Sequence, residues 1–110
     1  MNGSKKWITC GMFADFFTTA VRTGGEGSGM GGISLILIER EREGVSTRFM
    51  DCMGVKGSGT AFIEFDNVRV PKENYIGDVT CLLRNFVTER IGIAVQANRF
   101  ARVCLTESIE

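Results

Sequence analysis

The stretch ISLILIEREREGVSTRFM, Ile33 to Met50, decides how this chain folds. Its first seven residues, Ile33 to Glu39, are a mostly apolar run too short for a typical core helix, so the pattern predicts a buried strand. The charged segment REREG then reads as a turn and VSTRFM, Val45 to Met50, as a second, shorter strand. Downstream, TAFIEFDNVRV sets Phe62 and Glu64 against Ile63 and Phe65, the two-residue period of a half-buried strand, and stops at Pro71, the only proline. Upstream, Asp15 to Thr23 (DFFTTAVRT) and Lys5 to Thr9 are rich in the aromatic and β-branched residues that strands favour. Five strands with polar turns and no helix between them predict a mainly β fold, an antiparallel sandwich or barrel.

Near Leu82 the period changes. From Thr88 to Glu110 apolar residues at 91, 94, 95, 101 and 105 follow helical spacing, with 93, 97, 100 and 104 forming a second face. A long C-terminal helix is expected, apolar around too much of its circumference to be solvated, so one face should meet the sheet and the other a partner. Residues 1–80 are thus read as a β domain and 81–110 as the first helix of a further, helical domain. The opening NGSKKWIT reads as the second half of a hairpin, and no Gly or Pro closes the helix at Glu110, so both ends read as cut.

At 110 residues the chain is one domain in size, with 44% hydrophobic and 24% charged residues, a globular composition. Thirteen basic residues cancel thirteen acidic ones, which disfavours nucleic acid and anionic lipid as partners. No run of about 18 apolar residues is present, so no transmembrane segment is expected, and the polar opening MNGSKK is not a signal peptide. Cys10, Cys52, Cys81 and Cys104 lack Cys-x-x-Cys spacing and there is no histidine. They are read as buried free thiols rather than disulfides, in an intracellular reducing compartment, and no metal site is expected. Without an imidazole, Ser-His-Asp and Cys-His chemistry is excluded; proton abstraction falls to a carboxylate, a lysine or an external group. The tract GGEGSGMGG contains a formal Gly-x-Gly-x-x-Gly from Gly27 to Gly32, but a strand follows it where a phosphate loop requires a helix. It is read as a hairpin loop.

Three segments, NGSKKWITCG, GVSTRFMDCMGVKGSGTAFIEFDNVRVPKEN and TERIGIAVQANRFARVCL, occur in an order and at distances that resemble the acyl-CoA dehydrogenase family, across nearly the whole chain. The resemblance implies the family's middle β domain and the start of its C-terminal helical domain. It implies that Trp7, Ile8 and Thr9 line the isoalloxazine ring of FAD, the indole packing near the ring and the Thr9 hydroxyl reaching the flavin nitrogen N5. An aromatic plane covers an apolar ring, and a neighbouring hydroxyl steadies the nitrogen that receives hydride. The implied reaction removes hydrogen across the α and β carbons of an acyl-CoA thioester, with an electron-transfer flavoprotein or oxygen as acceptor and a homo-oligomer as the assembled form.

Most members of the family carry the catalytic carboxylate late in the C-terminal domain. A branch resembling isovaleryl-CoA and long-chain dehydrogenases carries it at the start of the first long C-terminal helix, just before an arginine, and Glu89 occupies that position. The competing reading makes Glu89 a helix-dipole partner, with Thr88 as the cap. The resemblance further implies substrate contacts along Val87, Thr88, Glu89 and Arg90, with Arg90 positioning the acid or the thioester. Three departures from the family stand out: Val87 replaces a common Asp or Asn, IGDVTCLLRNF is several residues short, and Lys56 replaces a frequent arginine. Besides the FAD-dependent enzyme, two alternatives remain: a catalytically incompetent β-domain remnant, and a β-sandwich interaction module that docks through its helix.

Overall fold

The computed structural model describes residues 1–109. Six strands form two three-stranded antiparallel sheets. The first has the order β1 (Gly3–Ile8), β5 (Ala61–Phe65), β4 (Val45–Phe49); the second has the order β2 (Phe16–Arg22), β3 (Ile33–Glu39), β6 (Tyr75–Asp78). Helix α1, Val79–Ile109, follows β6 directly. The expectation of an antiparallel sandwich followed by one long helix is borne out.

The core lies between the sheets. Phe17 and Ile38, cross-strand partners on β2 and β3, meet Ala61, Ile63 and Phe65 of β5, with Val68 closing one end. The period-two alternation of β5 is what delivers those three residues to one face, leaving Glu64 exposed. The glycine-rich tract does close a hairpin: the Thr23 and Gly24 amides both donate to the Gly32 carbonyl, and β2 pairs with β3 from Phe16↔Glu39 to Arg22↔Ile33. In the charged turn the Arg42 guanidinium hydrogen-bonds the Glu39 carboxylate and holds its pKa below the ordinary value.

Three expectations need correction. A sixth strand, β6, was hidden in YIGD, whose Gly and Asp are poor strand formers; it pairs with β3 through a register shift between Leu35 and Ile36. The helix begins at Val79, two residues before the expected boundary at 81 and well before the apolar period that sets in at Thr88. Asp78 caps it, its Oδ1 accepting from the Thr80 amide at 2.9 Å, so Thr88 is not a cap and Glu89 lies well beyond the first turn. The cysteines are free but not buried: Cys10, Cys81 and Cys104 are exposed and Cys52 is intermediate. Cys10 sits in a surface turn, while Cys81 and Cys104 lie on a helix with no buried residue.

A 31-residue helix is about 47 Å long, so α1 projects past the sandwich and gives the molecule extents of 57 × 29 × 23 Å. Its contacts with the rest of the chain are chiefly to β3 and β6. Ile91, Ile93, Val95, Phe100 and Leu105 all stand exposed along it. No helix among the described residues is long and apolar enough to cross a membrane.

Candidate functional site

Strand β1 breaks its own alternation immediately before the site. Lys5 pairs with Ile63 and Ile8 with Ala61, so three steps along β1 are matched by two along β5, which defines a β-bulge over Lys6 and Trp7. Within it Trp7 takes a φ of 57°, and Cys10 follows at 59°. Side chains rarely occupy this left-handed region, at a cost of about 1–3 kcal/mol each, and they persist there only where surrounding structure imposes it.

The surroundings here are explicit. The Cys10 amide donates to the Ser58 carbonyl at 2.8 Å and the Met12 amide to the Gly59 carbonyl at 3.1 Å, tying the turn after Thr9 to the segment preceding β5. From the other side, Arg40 reaches the Gly11 and Ala14 carbonyls at 3.4 Å and the Thr47 hydroxyl at 3.1 Å. Gly11 lies so close to β5 that a Cβ there would come within 2.6 Å of the Ala61 Cβ, so only glycine lets the turn pack this tightly.

The bulge separates the three neighbouring residues. Trp7 is turned outward and is 65% exposed, with the Lys6 Nζ 4.3 Å from its ring centroid. Ile8 and Thr9 face a cleft of about 730 Å³ between the sandwich and the start of α1. Its floor comes from the inner and edge residues of the sheets, Phe17, Leu35, Ile63 and Phe65 among them; Leu82, Phe86 and Glu89 of α1 form the facing side. The indole is therefore not sealed in the core, and open space lies beside Thr9.

Glu89 reaches this cleft because of helical spacing. Cys81, Leu82, Asn85, Phe86 and Glu89 all line it, which is the i, i+3, i+4 stripe of one helix face. Val87, Thr88 and Arg90 point away from that stripe and are not among the lining residues. A rotation of about 100° per residue prevents four consecutive helical residues from sharing one side. Of the seven site residues expected from the sequence, the fold thus brings Ile8, Thr9 and Glu89 to one cleft, places Trp7 on the adjoining bulge, and leaves Val87, Thr88 and Arg90 on other faces.

The lining residues that the sequence reading did not single out include two whose polar groups are held by hydrogen bonds. The Asn85 Nδ2 donates to the Glu89 Oε1 at 2.8 Å, holding the carboxylate from one turn away; the i, i+4 spacing of Asn85 and Glu89 was the available signal. The other is Lys5, which lines the cleft from β1 and donates to the Ala20 carbonyl at 2.7 Å. Its position in a strand pattern gave no hint of an inward-facing ammonium.

A planar, largely apolar ring system with polar edges suits these surroundings. The floor is apolar, a hydroxyl and a backbone turn stand at one rim, and an exposed indole stands next to them. No cluster of His, Cys, Asp and Glu able to hold a metal ion occurs among the described residues.

Comparison with known proteins places the fold. The family profile for the acyl-CoA dehydrogenase middle domain matches residues 1–68. Acyl-CoA dehydrogenase AFT10-1 of Alternaria alternata is 44% identical over all of this chain, which covers 26% of that protein. The crystal structure of a probable acyl-CoA dehydrogenase from Mycobacterium abscessus superimposes with a TM-score of 0.81 at 46% identity, over 87% of this chain and 26% of its own. An acyl-CoA dehydrogenase from Bacillus anthracis, solved in complex with FAD, aligns over 70% of this chain and 12% of its own, with a TM-score of 0.61 and 37% identity. The chain spans about a quarter of the length of the first two of these proteins. The match over residues 1–68, the identity over the whole chain and the shared sandwich lead to one assignment: this chain belongs to the acyl-CoA dehydrogenase family.

Proposed function

We propose that this chain supplies the flavin-facing wall and the catalytic base of an FAD-dependent acyl-CoA dehydrogenase, which removes hydrogen across the α and β carbons of an acyl-CoA thioester. One observation carries the reading: Thr9 and Glu89, from opposite ends of the chain, border the same cleft.

FAD, when bound, supplies the acceptor for the β hydride. The chain's own residues do the rest. Ile8 would offer apolar surface to the ring from within the cleft, Trp7 would stand at its margin on the adjoining bulge, and Thr9 would donate a hydrogen bond at its edge. Glu89 takes the α proton, with Asn85 fixing the direction of its carboxylate. Phe16, Leu82 and Phe86 offer apolar surface to the acyl chain along the cleft. Thr88 and Arg90, on the faces of α1 outside the cleft, are left to contact the CoA portion beyond it rather than the reacting carbons; Val87, apolar and exposed, adds only surface there.

An electron-transfer flavoprotein or oxygen serves as acceptor in this reading. The exposed apolar residues of α1 support assembly into a homo-oligomer through that helix.

The test is a spectrum. The chain purified in the presence of FAD is expected to retain a yellow chromophore through gel filtration, and added acyl-CoA is expected to bleach it under anaerobic conditions. A colourless chain would instead favour a β-domain remnant that keeps the fold without the cofactor.

A further inference from the structure

We propose that Lys5 is the positioning residue for the Trp7–Thr9 wall: its ammonium ties β1 to the edge of β2 and so fixes the sandwich side of the cleft. The inference deepens the flavin reading and rests on it for the ligand, though not for the tie itself.

Strands β1 and β2 are edge strands of different sheets, so no ladder hydrogen bond joins them. Lys5 does: its Nζ donates to the Ala20 carbonyl at 2.7 Å, a charge-assisted bond in a half-buried setting. Lys5 is also the last residue of β1 in regular register before the bulge, opposite Ile63. Fixing it fixes the point from which Trp7 leaves the pleat. The same side chain, with Thr19, Ala20 and Phe65, lies between the cleft that holds Thr9 and Glu89 and a smaller one of about 270 Å³ running along Met1 to Ser4 and Thr19 to Arg22. Its neighbour Lys6 shows what an untied lysine does here: exposed, it lies over the Trp7 ring.

Without the Lys5 tie, the upstream side of the bulge is held only to β5, through the pairing of Gly3, Ser4 and Lys5 with Phe65, Glu64 and Ile63, and nothing joins it to β2. Relaxation of Trp7 toward ordinary strand geometry would recover the cost of its left-handed backbone and carry Thr9 away from the cleft. Lys5 touches the cofactor's wall rather than the reacting atoms, so it acts through Trp7 and Thr9.

Trp7 is the only tryptophan, so its fluorescence anisotropy reports the bulge directly, with or without flavin. In Lys5→Met the Trp7 anisotropy is expected to fall toward that of a mobile side chain and the affinity for FAD to drop about tenfold or more, the scale of one lost charged hydrogen bond. Lys5→Arg, which keeps a cationic donor able to reach Ala20, should restore both, a rescue that a purely space-filling role would not give. Should Lys5→Met fail to fold, Lys5→Gln, which is too short to span to Ala20, gives the same readings. Unchanged anisotropy in the folded variant overturns the proposal. If anisotropy falls but the unmodified chain itself retains no FAD, the tie stands and it is the flavin reading that fails.

Discussion

Replacing Glu89 by glutamine is expected to leave flavin retention intact and to slow acyl-CoA-dependent bleaching by about 10²–10⁴-fold, the range by which a positioned general base accelerates proton transfer. The substitution is nearly isosteric. The glutamine carbonyl can still accept the Asn85 amide hydrogen that now reaches the Glu89 Oε1 at 2.8 Å, so helix, cleft and carboxamide position are all kept. What is lost is a group able to take a proton. Single-turnover bleaching in a stopped-flow spectrophotometer separates this from binding, because a defect in substrate affinity disappears at saturating acyl-CoA whereas a missing base does not. Bleaching at the unmodified rate would remove Glu89 from the mechanism and leave it as a helix-face residue.

The second large effect is on stability. Ile63 is 1% exposed and sits on β5, the central strand of its sheet, opposite Lys5 on one side and Thr47 on the other. Ile63→Ala removes buried methyl groups and leaves a cavity between the sheets, costing about 2–5 kcal/mol. Against the roughly 5–15 kcal/mol that holds a domain of this size together, this is a large fraction. The thermal midpoint should fall by roughly 10–20 °C. Glu64→Ala, one residue along and facing solvent, should change stability by no more than about 0.5 kcal/mol. The contrast between adjacent positions tests the alternation that builds the core; equal losses at both would mean that β5 does not present Ile63 inward.

Much of this fold could be read from local pattern. Ile33–Glu39 was legible because a seven-residue apolar run has few other uses, and β5 because Phe62 and Glu64 alternate with Ile63 and Phe65. The hairpin around the glycine tract followed from strands on both of its sides. Other features depend on information that no short window contains. Strand β6 exists because β3 offers it an edge, and in YIGD the propensity of Tyr75 and Ile76 is offset by Gly77 and Asp78 over only four residues. The start of α1 is set by the Asp78 cap nine residues before the apolar period becomes clear at Thr88 and beyond.

The site divides in the same way. The resemblance carried by Trp7-Ile8-Thr9 and Glu89 located both ends of the cleft, but not the bulge that turns Trp7 away from Ile8 and Thr9. That bulge arises from a mismatch in count between β1 and β5, a property of the pair rather than of either strand. The wide stretch expected at Val87 to Arg90 narrowed to Glu89, since helical rotation lets only one of those four face the sandwich. Lys5 was invisible for a related reason: nothing in SKKWIT distinguishes the lysine that crosses to Ala20 from the one that lies over the indole.

The most direct measurement is a two-dimensional NMR titration of the isotopically labelled chain with FAD. Saturable shifts are expected at Ile8, Thr9 and the Trp7 indole on one side and at Asn85, Phe86 and Glu89 on the other. Shifts confined to the separate apolar cleft lined by Val21, Ile36, Val70 and Tyr75, with Thr9 and Glu89 unmoved, would contradict it.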